Sequence, residues 1–242
     1  MIVLLLYLPK ITFIMFELPT TIPIQVNSNL YLKDPNSSDL GVKIVAKSID
    51  MINAIGYEEF TIRKLAQAIN STEASVYRYF ESKQKLLLYL ISWYWSWMEY
   101  RLVFATTNIS SAKVKLERAI CLITDKIDVD EKYNYINLKK LNSIAFTEST
   151  KSFLHKEVDK ENKIGAYSEY KNFVEKVSDL VLEFNPKYKY PNMLISTVIE
   201  GAHLQHHFTD HLPRLTNASS NDNHIQQFFT DLVFKSIITT KK

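Results

Sequence analysis

The fold is decided by residues 55–87, IGYEEFTIRKLAQAINSTEASVYRYFESKQKLL. Thr61, Thr72 and Ser82 each stand before a helix-compatible run, where a side-chain oxygen can accept from the first free amides of a helix. The segment predicts a short helix with Ile62, Leu65, Ala66 and Ile69 on one face, a second over 73–80, and a long one after Ser82. Asn70 falls at the turn between the first two, and asparagine enters left-handed geometry more readily than most residues with a side chain. Two short helices joined by a turn of about four residues have helix-turn-helix spacing. On the second, Val76 and Phe80 share a face that can pack inward, while Ala74, Ser75 and Arg78 share the opposite arc. Small residues permit close approach to a major groove, and arginine can bond guanine O6 and N7 together. Tyr77, Tyr79 and Lys83 flank that arc within reach of phosphates. Residues 60–90 carry Arg63, Lys64, Arg78, Lys83 and Lys85 against Glu73 and Glu81, five minus two, which equals the net +3 of the whole chain. The alternative is an ordinary three-helix unit with solvated charges.

Outward from this segment the chain reads as helices. Its 242 residues are 46% hydrophobic and 23% charged, enough for a sizeable core. It has 4 glycines, where average usage would give roughly 17. No GxGxxG or GxxxxGK can be written, and the asparagine-glycine turns of hairpin-rich folds are absent. No proline lies between Pro35 and Pro186, as stacked helices require. Upstream, Ser38 or Asp39 can cap a helix with Val42, Val45, Ile49, Ile52 and Ile55, closed by Gly56. Downstream helices are expected at 111–127, 134–146, 162–184, 191–212 (with Pro191 in its first turn) and 222–238. Cys121 is alone, so no intramolecular disulfide is available. Residues 1–18 are strongly apolar, but Pro9, Lys10 and Glu17 interrupt them. They read as an over-extended start ahead of Met15 rather than a membrane anchor. The expected organisation is an arm over 1–37, a DNA-binding unit over 38–85 and a larger helical unit over 86–242.

Gly56-Tyr57, Thr61, Ala66, Asn70, Tyr77-Arg78-Tyr79-Phe80 and Ser82-Lys83 together resemble the DNA-binding region of the TetR family of bacterial regulators. Three positions depart from the family pattern: Asn70 replaces the usual turn glycine, Ser71 a small apolar residue and Glu73 a lysine. The resemblance implies an all-α protein, with an N-terminal three-helix helix-turn-helix domain and a C-terminal helical domain for ligand binding and dimerisation. It implies a homodimer joined through the last two long helices, an operator of double-stranded DNA and a small-molecule effector; with the N-terminus read as an over-extended start, a cytoplasmic protein is expected, and no cofactor. The candidate DNA contacts are Thr61, Arg63, Thr72, Ser75, Tyr77, Arg78, Tyr79 and Lys83.

For the effector, the aromatic cluster from Trp93 to Phe104 is the sequence clue, and Trp93, Trp97, Tyr100 and Phe104 are the candidate residues. Aromatics at helical spacing also serve as plain core. Five of the six histidines lie in 203–224, and Glu200, His203, His207 and His211 share one side of their helix. That face reads as polar surface or dimer seam. The alternative is a helical metal-dependent enzyme centred on Glu200, His203 and His207, although no second ExxH exists to complete a di-iron bundle. A membrane-tethered regulator using residues 1–18 is a third class. The main expectation is a repressor released from a palindromic operator by a small apolar ligand.

Overall fold

The computed structural model describes residues 24–127, 132–219 and 222–238. The readings of residues 1–18, including the start at Met15 and the membrane tether, lie outside these residues. Among the described residues, no helix is long and apolar enough to cross a membrane.

The fold is all-α, with one two-residue hairpin. α1 (Asp39–Glu59) is capped by Ser38, whose Oγ accepts from Gly41 N at 3.2 Å. Its buried face is Ile44, Val45, Ser48, Ile49, Ile52 and Tyr57. Ile55, expected inside, is exposed, because Gly56 (φ 76°, ψ 160°) re-aims the last turn and brings Tyr57 inward instead. α2 (Ile62–Ala68) starts at the Thr61 cap. Asn70 takes φ 53°, and Ser71 N donates back to Ala66 O at 2.8 Å to close the helix. α3 (Glu73–Tyr77) is shorter than its expected span of 73–80. The amides of Tyr79 and Phe80 both reach the Val76 carbonyl, so the chain turns and buries both rings. α4 (Lys83–Thr106) starts from the Ser82 cap and runs across the expected boundary at 85/86.

α5 (Ala112–Thr124) follows, then the hairpin β1 (Lys132–Tyr133) and β2 (Ile136–Asn137). The hairpin was not expected from the sequence. It turns through Asn134 at φ 57°, and it delays α6 to Leu138–Phe153. The helix expected over 162–184 is divided into α7 (Val158–Lys163) and α8 (Ser168–Phe184). Gly165 stands between them at φ 77°, a backbone angle that side chains strain to adopt. α9 (Pro191–His211) has its proline in the first turn as expected, and α10 (His224–Ile237) ends the described chain.

α4 is the central member. Its residues Leu86 to Trp95 are buried without interruption, so it has no solvent face there. It packs against α5, α6 and α8, while α9 and α10 close the far side. α1 rests on α6, with Lys140 of α6 bonded to Asp50 (2.6 Å) and Lys151 to Glu58 (3.4 Å). The arm over 24–37 straps both units. Asn27 Nδ2 donates to the carbonyls of Ile164 and Gly165, Leu32 N donates to Tyr79 O, and Leu30 is buried.

Candidate DNA interface and effector cavity

α3 presents its outer face as the sequence led one to expect. Val76 and Phe80 are buried, whereas Thr72, Tyr77 and Arg78 are exposed and Ser75 is half-buried. Thr72 Oγ1 accepts from Ser75 N (3.2 Å) and lies 2.9 Å from Ser75 Oγ, which fixes the first turn of this short helix. Arg78, at the C-terminal end, projects from the face. Thr61 caps α2 by accepting from Lys64 N at 3.1 Å, and Arg63 is exposed beside it.

Two expected phosphate contacts have other partners. The Tyr79 ring is buried, and its hydroxyl lies 2.7 Å from Ser38 Oγ. It ties the end of α3 to the start of α1. The Lys83 ammonium sits 4.2 Å over the Tyr57 ring and donates to Glu58 O at 3.2 Å. In this arrangement it secures the end of α1, and its own helix offers only first-turn amides to an anion.

The family model for bacterial regulatory proteins of the tetR family matches residues 44–90, from α1 into α4. The DNA-binding segment belongs to the TetR family. The whole TetR-like architecture recurs in solved structures of low identity. One, from Saccharomonospora viridis, is described as a transcriptional regulator in complex with choline: TM-score 0.58, 18% identity, 79% of this chain and 94% of that one covered. A TetR-family transcriptional regulator from Bordetella parapertussis 12822 aligns with TM-score 0.55 at 13% identity over 85% and 99% of the two chains. The superantigen PfiT aligns with TM-score 0.54 at 10% identity over 84% and 97%. At such identities the likeness is one of fold, and the third case shows that the fold alone does not fix the role. No curated protein matches the chain. With its TetR-family segment, the protein is a DNA-binding regulator.

The expected effector residues are not brought together. Phe104 is 78% exposed, at the far end of α4. Trp97 is buried against Tyr94 and covered by the Arg101 guanidinium at 4.8 Å. Among the described residues, Trp97 and Tyr100 line neither of the two large cavities. Trp93 lines one of them, beside the arm.

The other cavity, about 730 Å³, opens between α6 and α9. Asn142, Phe146 and Phe153 come from α6, and Glu200, His203 and His206 from α9. His203 is 6% exposed, and its Nδ1 has no hydrogen-bond partner among the described residues. Burial, and then the neighbouring His206, pushes its pKa down to about 3, so it is neutral near pH 7. Its ring stacks on Phe146 (3.8 Å), and Trp95 of α4 lies beyond at 6.2 Å. His206 Nε2 donates to Thr124 O at 2.9 Å, and burial lowers its pKa too. Glu200 accepts from Tyr170 OH at 3.0 Å, and burial raises its pKa despite that bond.

Glu200, His203 and His207 do not form the metal centre of the enzyme alternative. No group of three metal-ligating side chains occurs among the described residues. Glu200 is bonded to Tyr170, His203 is stacked in the core, and exposed His207 contacts His211 at 4.6 Å. The histidine-rich face was visible in the sequence as a face. Its partner wall on α6 was not, because nothing in LNSIAF marks Asn142 and Phe146 as lining a hole.

Proposed function

We propose that this DNA-binding regulator is a homodimeric repressor, released from a palindromic operator when a small ligand enters the α6–α9 cavity. The observation that carries the reading is the position of α6. One side of this helix is bonded to α1 through Lys140 and Lys151, and the other lines the cavity beside the unpartnered His203 Nδ1. A ligand with an apolar body suits Phe146, Phe153 and Leu204, and a polar group on it would meet His203 and Glu200. Binding that favours one setting of α6 against α1 lowers operator affinity by its differential affinity for the two states.

Two recognition helices must stand about one DNA turn apart, roughly 34–36 Å, to read two half-sites. The dimer reading is supported by exposed Met193, Leu212 and Phe228 on or beside α9 and α10. Val198, on the same helix, is fully buried and belongs to the monomer core.

Selection of operator sequences from random duplex DNA tests the reading. Arg78→Ala should cost about 1–3 kcal/mol of operator binding and relax one position per half-site, whereas Arg63→Ala should weaken binding to all sequences alike. Phe228→Asp should give monomers by light scattering. Sequence-independent binding at all salt concentrations, or a monomeric parent protein, would overturn the proposal.

A further inference from the structure

We infer that the second cavity, between the arm, α4 and the β1–β2 hairpin, is a binding site for an organic cation with an apolar portion. The cavity measures about 760 Å³ and is separate from the histidine cavity; the two share no lining residue. The inference does not depend on the repressor reading.

Five aromatic residues line this space: Tyr31 from the arm, Tyr89 and Trp93 from α4, and Tyr133 and Tyr135 from the hairpin. Four of them are held as edge-to-face pairs, Tyr31 with Tyr89 at 6.0 Å and 80°, and Trp93 with Tyr133 at 5.7 Å and 68°. An edge-to-face pair cannot bury both rings' faces against each other. The face of an aromatic ring carries negative potential and attracts cations that approach within about 6 Å of its centre.

Charge gives the same sign. Asp34 lines the cavity, and among its described lining residues there is no lysine, arginine or histidine. Lys33, next to Asp34 in sequence, lies over the Tyr79 ring at 5.1 Å. Asp34 Oδ1 accepts from Asn36 N (2.8 Å) and Nδ2 (3.2 Å), which holds the carboxylate in place; Oδ2 has no partner among the described residues. Tyr135 donates to Asn36 Oδ1 and touches the Tyr89 hydroxyl, so the hairpin is pinned to the arm around the space. Burial raises both phenols and keeps them uncharged. The histidine cavity differs in kind, since Lys126 and Lys139 stand on its wall beside Glu200 and Asp210.

The volume exceeds what one ammonium head fills, and it falls within the range of small-molecule sites. Val42 and Ile136 supply an apolar wall for the rest of the ligand.

The test is calorimetric titration of the full chain with benzyltrimethylammonium chloride, using benzyl alcohol and benzylsulfonate as the neutral and anionic counterparts. The cation should bind saturably, one per chain, and at least about tenfold more tightly than either counterpart. Asp34→Asn and Tyr133→Leu should each weaken it by about tenfold or more, with unchanged helical content and melting temperature. Equal affinity for benzyl alcohol would remove the charge recognition. Parent-like affinity in both variants would put the cation elsewhere, and absence of saturable heat would remove the site. Any of these results overturns the inference.

Discussion

The first six helices and the last four are started in different ways. α1 to α6 each begin with a side chain that accepts from a free first-turn amide: Ser38, Thr61, Thr72, Ser82, Ser111 and Asn137. In α7 to α10 the cap residue's own side chain makes no such bond, although Asp222, one residue further back, accepts from His224 N of α10 at 2.9 Å. The first six helices, those of the DNA-binding unit among them, are therefore started by contacts three residues apart. The last four helices rest more on burial across the fold, as where Gly201 lets Phe229 lie against α9; a Cβ there would stand 2.8 Å from the ring. Local signals make a unit that keeps its shape when docked in different ways. Packing makes a unit whose shape depends on what fills it.

The largest expected effect breaks the joint between the halves. Lys85, next to the helix-turn-helix, is bonded to Glu161 of α7 at 2.7 Å, and both side chains are only 12% exposed. Glu161→Gln leaves a buried ammonium without its counter-charge and should cost about 3–5 kcal/mol in urea melts. A loss below 1 kcal/mol would mean that the halves are not coupled there.

Gly41→Ala attacks the capped half at its tightest point. The added Cβ would stand 2.2 Å from Pro35 O, a backbone atom of the arm. Relief requires the arm to lift from α1, at about 1–3 kcal/mol. Proteolysis within residues 24–37 should quicken in the variant.

Acid should weaken the C-terminal half through His203. Its folded pKa, about 3, lies below the ordinary 6.5. As pH falls below 6.5 the unfolded chain takes up a proton that the folded chain refuses, so stability falls until about pH 3. From pH 7 to 5 the loss attributable to His203 is about 2 kcal/mol. His206 acts in the same direction and Glu200 in the opposite one, so the comparison is with His203→Phe, whose stability should vary less over this range. Equal pH dependence in both proteins would remove His203 from the account.

The smallest effect sharpens the contrast directly. Thr72→Ala should cost about 1 kcal/mol, and Asn223→Ala, at the start of α10 where its side chain accepts from no first-turn amide, less than about 0.5 kcal/mol. Matching losses would erase the distinction drawn from the caps.

The same contrast accounts for what could be read in advance. Thr61, Asn70, Thr72 and Ser82 act on neighbours in the chain, so the helix-turn-helix was legible to within a few residues. The end of α3 was not, because it is set by the burial of Tyr79 and Phe80 rather than by a stop signal. The Trp93–Phe104 cluster, marked in the sequence as the effector site, is not gathered around one hole: Trp93 lines the cavity beside the arm, and Phe104 is exposed. Whether Trp97 lines a hole or lies under Arg101 depends on how α4 sits among its neighbours. His203 meets Phe146 across 57 positions of sequence, and no spacing rule brings those two together.

The uninterrupted burial of Leu86 to Trp95 limits how α4 can move. Successive side chains are about 100° apart around a helix, so these ten residues point in every direction and each has a seat in the surrounding packing. Rolling the helix about its axis would unseat all of them together. Sliding along the axis or tilting a few degrees requires only small concerted yielding. α4 therefore behaves as a piston or a tiller and not as a rotating shaft. A signal carried along it toward Lys83 is a displacement, with no torque.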